Sequence, residues 1–303
     1  MNRELFYEEV LKKLKERYGK GWEVTISYVP KNNDVIRTAF CIRNQNNTIS
    51  PTIYAEEYFR MYEKGTSFDK IIDDIVTFYD HACKNDIPKD LDYLHDWEVV
   101  KNRLAVRVVN RDRNINNLNT LVWREFLDLA IIPVICVDNK EGRFSSIKVT
   151  KALAEHLGVD EETLIDAAVS NNKSILETTF ENLAEAVAGI MEVEPLEDIS
   201  ECPLRIMSNT HKMNGAGAIL DTDSLRKMYE ELGDYYIIPS SIHEILCIPT
   251  NISDVNHVQY MVKEVNSTSV TEEEFLSNSV YLFDGNEVSI AISDEGCDEI
   301  CVG

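Results

Sequence analysis

Apolar residues recur at helical spacing from the start of the chain. Leu5, Phe6, Val10, Leu11, Leu14 and Tyr18 are separated by charges, and Gly19 and Gly21 follow as stops. This predicts an amphipathic helix that needs a surface to cover. The pattern switches to strand-like alternation over 22–29. Lys31, Asn32, Asn33 and Asp34 then supply residues that tolerate left-handed backbone, and 35–42 returns as the second strand of a hairpin. Residues 46–51 read as a loop and 52–65 as a helix carrying Tyr54, Tyr58, Met61 and Tyr62. A second helix follows, with Phe68, Ile71, Ile72, Ile75, Val76 and Tyr79 at 3,4 spacing until Pro88 breaks it. The aromatic stripe reads as packing surface in preference to a ligand groove.

Residues 99–109 are expected to end in a strand, and the asparagine-rich stretch 110–120 reads as a connector. A soft boundary near 112 therefore divides a helix-and-hairpin region, 1–112, from an α+β domain, 113–303, unless the two form one continuous domain. The apolar run 126–137 is long enough for a central strand, paired with 144–149 across a turn at 138–142. Pro133 within it removes a ladder donor and demands an edge or a bulge. Helices are predicted over 150–157, over 160–170 behind an Asp160 cap, and over 178–191 with an alanine-rich face, before a loop flanked by Pro195 and Pro203. Short strands at 204–208 and 217–220 precede a helix over 221–232 stopped by Gly233. Two strands within 235–249, a helix over 253–266 and a hairpin over 280–292 turned by Asp284, Gly285 and Asn286 complete the pattern. No internal repeat is present. The expected class is α+β: mixed or antiparallel sheets with hairpins, covered by helices.

Charge changes the picture more than composition does. The 303 residues are 44% hydrophobic, enough for a substantial core, but 53 acidic against 30 basic residues give a formal net charge of −23. Direct binding to a phosphate backbone needs clustered Lys and Arg, so nucleic acid is disfavoured as a partner. The excess either spreads as a solvating shell or engages a protein with a basic surface. No run approaches the roughly 18 apolar residues that span a bilayer, and Glu4, Glu8 and Glu9 stand where a signal peptide carries an apolar block. A cytoplasmic location without membrane attachment is expected. The seven cysteines are odd in number and scattered, several inside apolar runs as Cys136 is, which reads as buried reduced thiols.

The densest candidate chemistry is Ser240, Ser241, His243 and Glu244 between two strand-like runs. A hydroxyl nucleophile requires a base within hydrogen-bond reach. Continued as a strand, the segment puts Ser241 and His243 on one face and Ser240 and Glu244 on the other, and no glycines flank it to allow a nucleophile elbow. Asp128 is the second candidate. An unpaired carboxylate in an apolar strand costs several kcal/mol, so pairing with Arg103, Arg107 or Arg124, or a place at a strand end, is expected, with a functional carboxylate as the alternative. His81, Cys83 and His95, or Cys297 and Cys301, lack the spacing of a structural zinc site. The run from Gly215 through Ala218 lacks the Gly-Lys-Ser/Thr of a phosphate loop, is expected to enter a strand, and is read as close backbone packing. No catalytic residue, cofactor or metal is assigned. The leading expectation is a non-enzymatic acidic protein that binds a basic protein. A hydrolase-like enzyme using His243 and Glu244, or Asp128, and a ligand-sensing module are the alternatives.

Six motifs together, KNN at 31–33, ISPTIY at 49–54, FLDLAI at 126–131, GAGA at 215–218, IPSSIHE at 238–244 and VKEVN at 262–266, span almost the whole chain. In these the chain resembles an uncharacterised family of clostridial proteins known only as a domain of unknown function, which implies no particular reaction. Over about 126–250 it is more loosely similar to a second uncharacterised bacterial family that combines an Asp-Leu strand, a Leu-Gly-rich helical segment (here 157–164) and a strand–Pro-Ser–strand unit. That similarity implies a shared α+β core. Where the better-known form has Arg-Asp after Pro-Ser, this chain has Ser241, Ile242, His243 and Glu244. The variable gene neighbourhoods of such families imply roles in bacterial defence, counter-defence or mobile-element biology.

Overall fold

A computed structural model describes residues 1–44, 50–85, 91–140, 143–191 and 203–294. Part of the expected loop at 46–51, Pro88, residues 141–142 of the expected turn, Pro195, and Cys202, Cys297 and Cys301 lie outside the described residues. The fold is α+β and its sheets are antiparallel. It divides into two compact units, 1–91 and 92–303.

In the first unit, helix α1 (Arg3–Tyr18) is capped by Asn2, whose side chain accepts from the Leu5 N–H. Strands β1 (Trp22–Pro30) and β2 (Ile36–Asn44) pair in register from Trp22 opposite Asn44 to Pro30 opposite Ile36. Asn33 and Asp34 both take positive φ in the turn. The segment read as helix from 52 begins as a short strand, β3 (Ile53–Tyr54), which pairs with β2 before α2 (Ala55–Glu63) starts. Helix α3 (Phe68–Asn85) completes the cover. Phe6, Val10, Leu14, Val24, Phe40, Ile42, Ile71 and Ile75 form the core, and Tyr58, Phe59 and Tyr62 pack against it.

In the second unit, two short helices, α4 (Trp97–Val100) and α5 (Ile115–Leu118), flank β4 (Leu104–Asn110). Strand β4 pairs with β6 (Leu129–Lys140), so the unit boundary falls at 91/92 and not near 112; the asparagine-rich stretch lies inside the unit. The run from 126 is a hairpin, not one strand. Strand β5 (Arg124–Phe126) turns at Leu127 and Asp128 into β6. Strand β7 (Arg143–Lys148) also pairs with β6. Pro133 is neither at an edge nor in a bulge. Its carbonyl accepts from Val149, so its nitrogen faces the same side, where β5 has ended opposite Ile131 and β7 begins opposite Val134. The missing donor falls in the gap between two partner strands.

Helices α6 (Lys151–Leu157) and α7 (Glu161–Ile175) follow, capped by Thr150 and Asp160. Residues expected to start a helix at 178 form β8 (Thr178–Asn182) instead, and α8 (Leu183–Met191) begins after it. Strands β9 (Arg205–Asn209), β10 (Tyr235–Ile238), β11 (Ile245–Pro249), β12 (Val280–Phe283) and β13 (Val288–Ile292) join β8 in a six-stranded sheet, ordered β13-β12-β10-β11-β9-β8. Helices α9 (Thr222–Leu232) and α10 (Val255–Thr268) cover it. The predicted strand at 217–220 is a 3-10 turn over Gly215–Leu220. That turn, α9, Val108, Leu129 and the inner residues Tyr235, Ile237, Ile245, Cys247, Tyr281 and Phe283 share one core.

Candidate functional site

Two polar assemblies lie in the second unit, each built around a residue singled out in the sequence. Asp128 occupies the β5–β6 turn, where Leu127 takes a φ of 57°. That conformation costs a non-glycine residue about 1 kcal/mol. The backbone is held from outside: Arg111 N–H donates to the Asp128 carbonyl at 3.2 Å. The carboxylate is half-buried and meets hydroxyls, not a guanidinium. Ser277 Oγ donates to Oδ2 at 2.6 Å, Ser279 Oγ donates to the same oxygen at 2.9 Å, and the Tyr281 phenol donates to Oδ1.

The spacing of 277, 279 and 281 is that of a strand face, which aims all three hydroxyls the same way. All three residues are almost fully buried. Burial first, then the charge and hydrogen bond of Asp128, raise the Tyr281 pKa well above the usual phenol value, so the phenol remains a donor. The ion pair expected for Asp128 is therefore replaced. Arg124 binds Glu162 and Asp166 at 3.2 and 2.8 Å, Arg103 lies over the Tyr93 ring, and Arg107 remains on β4. A carboxylate that accepts three O–H bonds is satisfied without a cation and ties the hairpin turn to residues about 150 positions later.

Beside Asp128 opens a pocket of about 280 Å³, lined among others by Asn110, Arg111, Arg113, Phe275 and Asp294. The Arg113 guanidinium stacks on the Phe275 ring, 3.7 Å from its centroid.

The second assembly is the Ser240–Glu244 segment. Continued strand geometry does not hold here: Ser241 forms a single bridge with Phe275, and the backbone bends at Ile242 and His243. The reason lies in its partners. Ile242 N–H donates to Glu274, Leu276 N–H to Ser240 and Ser277 N–H to Pro239, while the Ile242 and His243 carbonyls turn to accept from Ala216 and Gly215. The alternation that separated Ser241 from Glu244 is lost. Burial raises the Glu244 pKa, opposed by the charge of His243 and by the Ser241 hydrogen bond.

The imidazole is committed in a way that does not suit a serine nucleophile. His243 Nδ1 accepts from the Asn214 N–H at 3.3 Å, and Nε2 lies 3.6 Å from Glu274 Oε1. The Ser241 hydroxyl instead accepts from the His243 backbone N–H at 3.1 Å. Gly215 makes this packing feasible. A Cβ there would lie 2.2 Å from Ser208 Oγ and 2.4 Å from the His243 carbonyl oxygen.

His81 and Cys83 lie on α3, while His95 is hydrogen-bonded to His156, Nδ1 to Nε2, at 2.7 Å. Among the described residues no group of three or more His, Cys, Asp or Glu is arranged to hold a metal ion. Burial pushes the Cys136 thiol up to about 12 and also raises that of Cys247, so both stay protonated at neutral pH. Asn214, Glu274 and the 277/279/281 hydroxyls were not read from the sequence as site residues. Only the last had a legible sign, three hydroxyls at two-residue spacing leading into an apolar strand.

The chain belongs to the family of unknown function DUF5688, which it matches over residues 3–285. No curated protein and no solved structure matches it.

Proposed function

We propose that this member of the DUF5688 family is a cytosolic binding protein whose second unit engages a partner protein of basic surface. The observation that carries the reading is the distribution of charge. Residues 1–91 hold 15 acidic and 14 basic residues, whereas residues 92–303 hold 38 and 16. The excess is concentrated in residues 92–303 instead of dispersed over the chain. Glu155, Asp160, Glu161, Glu162 and Asp166 are all exposed along α6 and α7, with Arg124 as a partial counterion to the last two. Such a field raises the rate of encounter with a cationic surface and disfavours anionic polymers.

The local chemistry of both assemblies agrees with a binding role. Asp128 accepts from three hydroxyls and His243 Nδ1 from a backbone N–H, so each holds loops in place. The test is recovery of partners by the full-length chain at about 0.1 M and about 1 M salt, where the screening length falls from roughly 10 Å to roughly 3 Å. A specific basic protein released by the higher salt is the expected result. A partner retained without salt sensitivity, or a neutral or acidic one, contradicts the reading.

No helix among the described residues is long and apolar enough to cross a membrane. The cytosolic placement rests on Cys41, Cys83, Cys136 and Cys247, which are free thiols.

A further inference from the structure

Arg107 stands apart from the other arginines of its unit. Along β4, Ala105, Arg107 and Val109 alternate with the core residues Leu104, Val106 and Val108 and share the opposite face of the sheet. On that face Ala105 packs with Val134, Cys136 and Leu176, and Val109 with Leu118, Leu121, Ala130 and Ile132. Arg107 emerges between these two apolar clusters, directly opposite Ile132. Its Nε is sealed from solvent and has no hydrogen-bond partner among the described residues. Burial lowers its pKa.

The unit's other arginines with described contacts are all engaged. Arg111 has Asp112 and Glu125, Arg124 has Glu162 and Asp166, Arg205 has Glu231, and Arg103 and Arg113 lie on aromatic rings. Among the described residues, Arg107 has no carboxylate partner.

We propose that Arg107 anchors an oxyanion site on this face, taking the phosphate or carboxylate group of a small ligand between the two apolar clusters. The planar fork of a guanidinium matches both groups, and a bound anion supplies the partner that the fold withholds. This site is independent of the basic-partner reading.

The test is thermal unfolding of the full-length chain at fixed ionic strength, with chloride replaced by inorganic phosphate or by acetate. At about 100 times the dissociation constant, the effective oxyanion raises Tm by about 5 °C. The Arg107→Met variant loses that response, and in chloride it melts no lower than the parent, because an apolar side chain of similar length removes an unpartnered buried charge. Arg107→Lys keeps the charge without the fork and retains less than half of the shift, which reads out the site even if the methionine variant does not fold. A response to both anions establishes the shared chemistry, and a response to one identifies its source. Equal shifts in the parent and both variants, or no shift with either anion up to about 50 mM, overturn the proposal.

Discussion

At Gly215 the space for a side chain is already taken by the Ser208 hydroxyl and the His243 carbonyl. Gly215→Ala is expected to destabilise the chain by about 3 kcal/mol, because backbone and a buried hydroxyl must both move; urea unfolding measures it. Asp128→Ala leaves three buried hydroxyls to find other acceptors and is expected to cost about 3–4 kcal/mol, whereas Tyr281→Phe removes one donor and costs about 1–2 kcal/mol. A smaller loss for the aspartate variant than for the tyrosine variant would mean that the carboxylate is not the hub. Asp128 was legible as a residue needing a partner, since burial of a carboxylate demands one, but the partner was not. Its donors lie about 150 residues away, and sequence alone favoured an arginine because opposite charge is the commoner solution. At Ser241 the error had a different origin: alternation applies only while a strand continues, and the pull of Gly215, Ala216 and Glu274 on the 239–244 backbone ends it.

The elements that periodicity identified were those whose stops are local. The helix α1 stop, the β1–β2 hairpin and the β12–β13 turn follow from residues next to them, as in the turn where Asp284 accepts from Asn286 and Glu287. Strand β8 was missed, and β4, expected at the end of 99–109, was set in the other unit, because tertiary pairing decides both. Thr178 through Asn182 has a helix-compatible pattern but lines up against β9, and β4 joins the second unit through β6. The exposed edge of β4 is covered in turn: Asn172 Oδ1 on α7 accepts from the Val106 N–H at 3.0 Å. Asn172→Leu is expected to cost about 1–3 kcal/mol by leaving that donor unpaired, with faster hydrogen exchange at Val106 as the local readout.

The cap of α9 gives a pH signature. Burial raises the Asp221 pKa, but hydrogen bonds from Ser224 and Thr178 and the charge of Lys173 outweigh it and hold the carboxyl below its ordinary value. A folded pKa below the unfolded one means that the stabilisation is complete above about pH 4 and is lost as pH falls through the folded value. Asp221→Asn, which keeps the acceptor and removes the charge, should flatten the fall in stability below about pH 4. An unchanged slope would show that the cap charge contributes nothing.

For the whole molecule, the α+β class, the lopsided charge and its segregation along the chain all stand in composition and pattern, but the place where the units divide does not. A boundary near 112 would have split β4 from its sheet, though either division leaves a near-neutral first part and an acidic second one, with 19 acidic and 18 basic residues up to 112 against 34 and 12 beyond it. The most direct measurement is carbodiimide coupling, which joins carboxylates to amines in contact, applied to the full-length chain bound to its recovered partner and read by mass spectrometry. Partner lysines joined to carboxylates within 92–303, with yields that collapse as salt is raised, are the predicted result. Coupling confined to carboxylates of 1–91, or yields indifferent to salt, would contradict the assignment of the acidic unit as the binding surface.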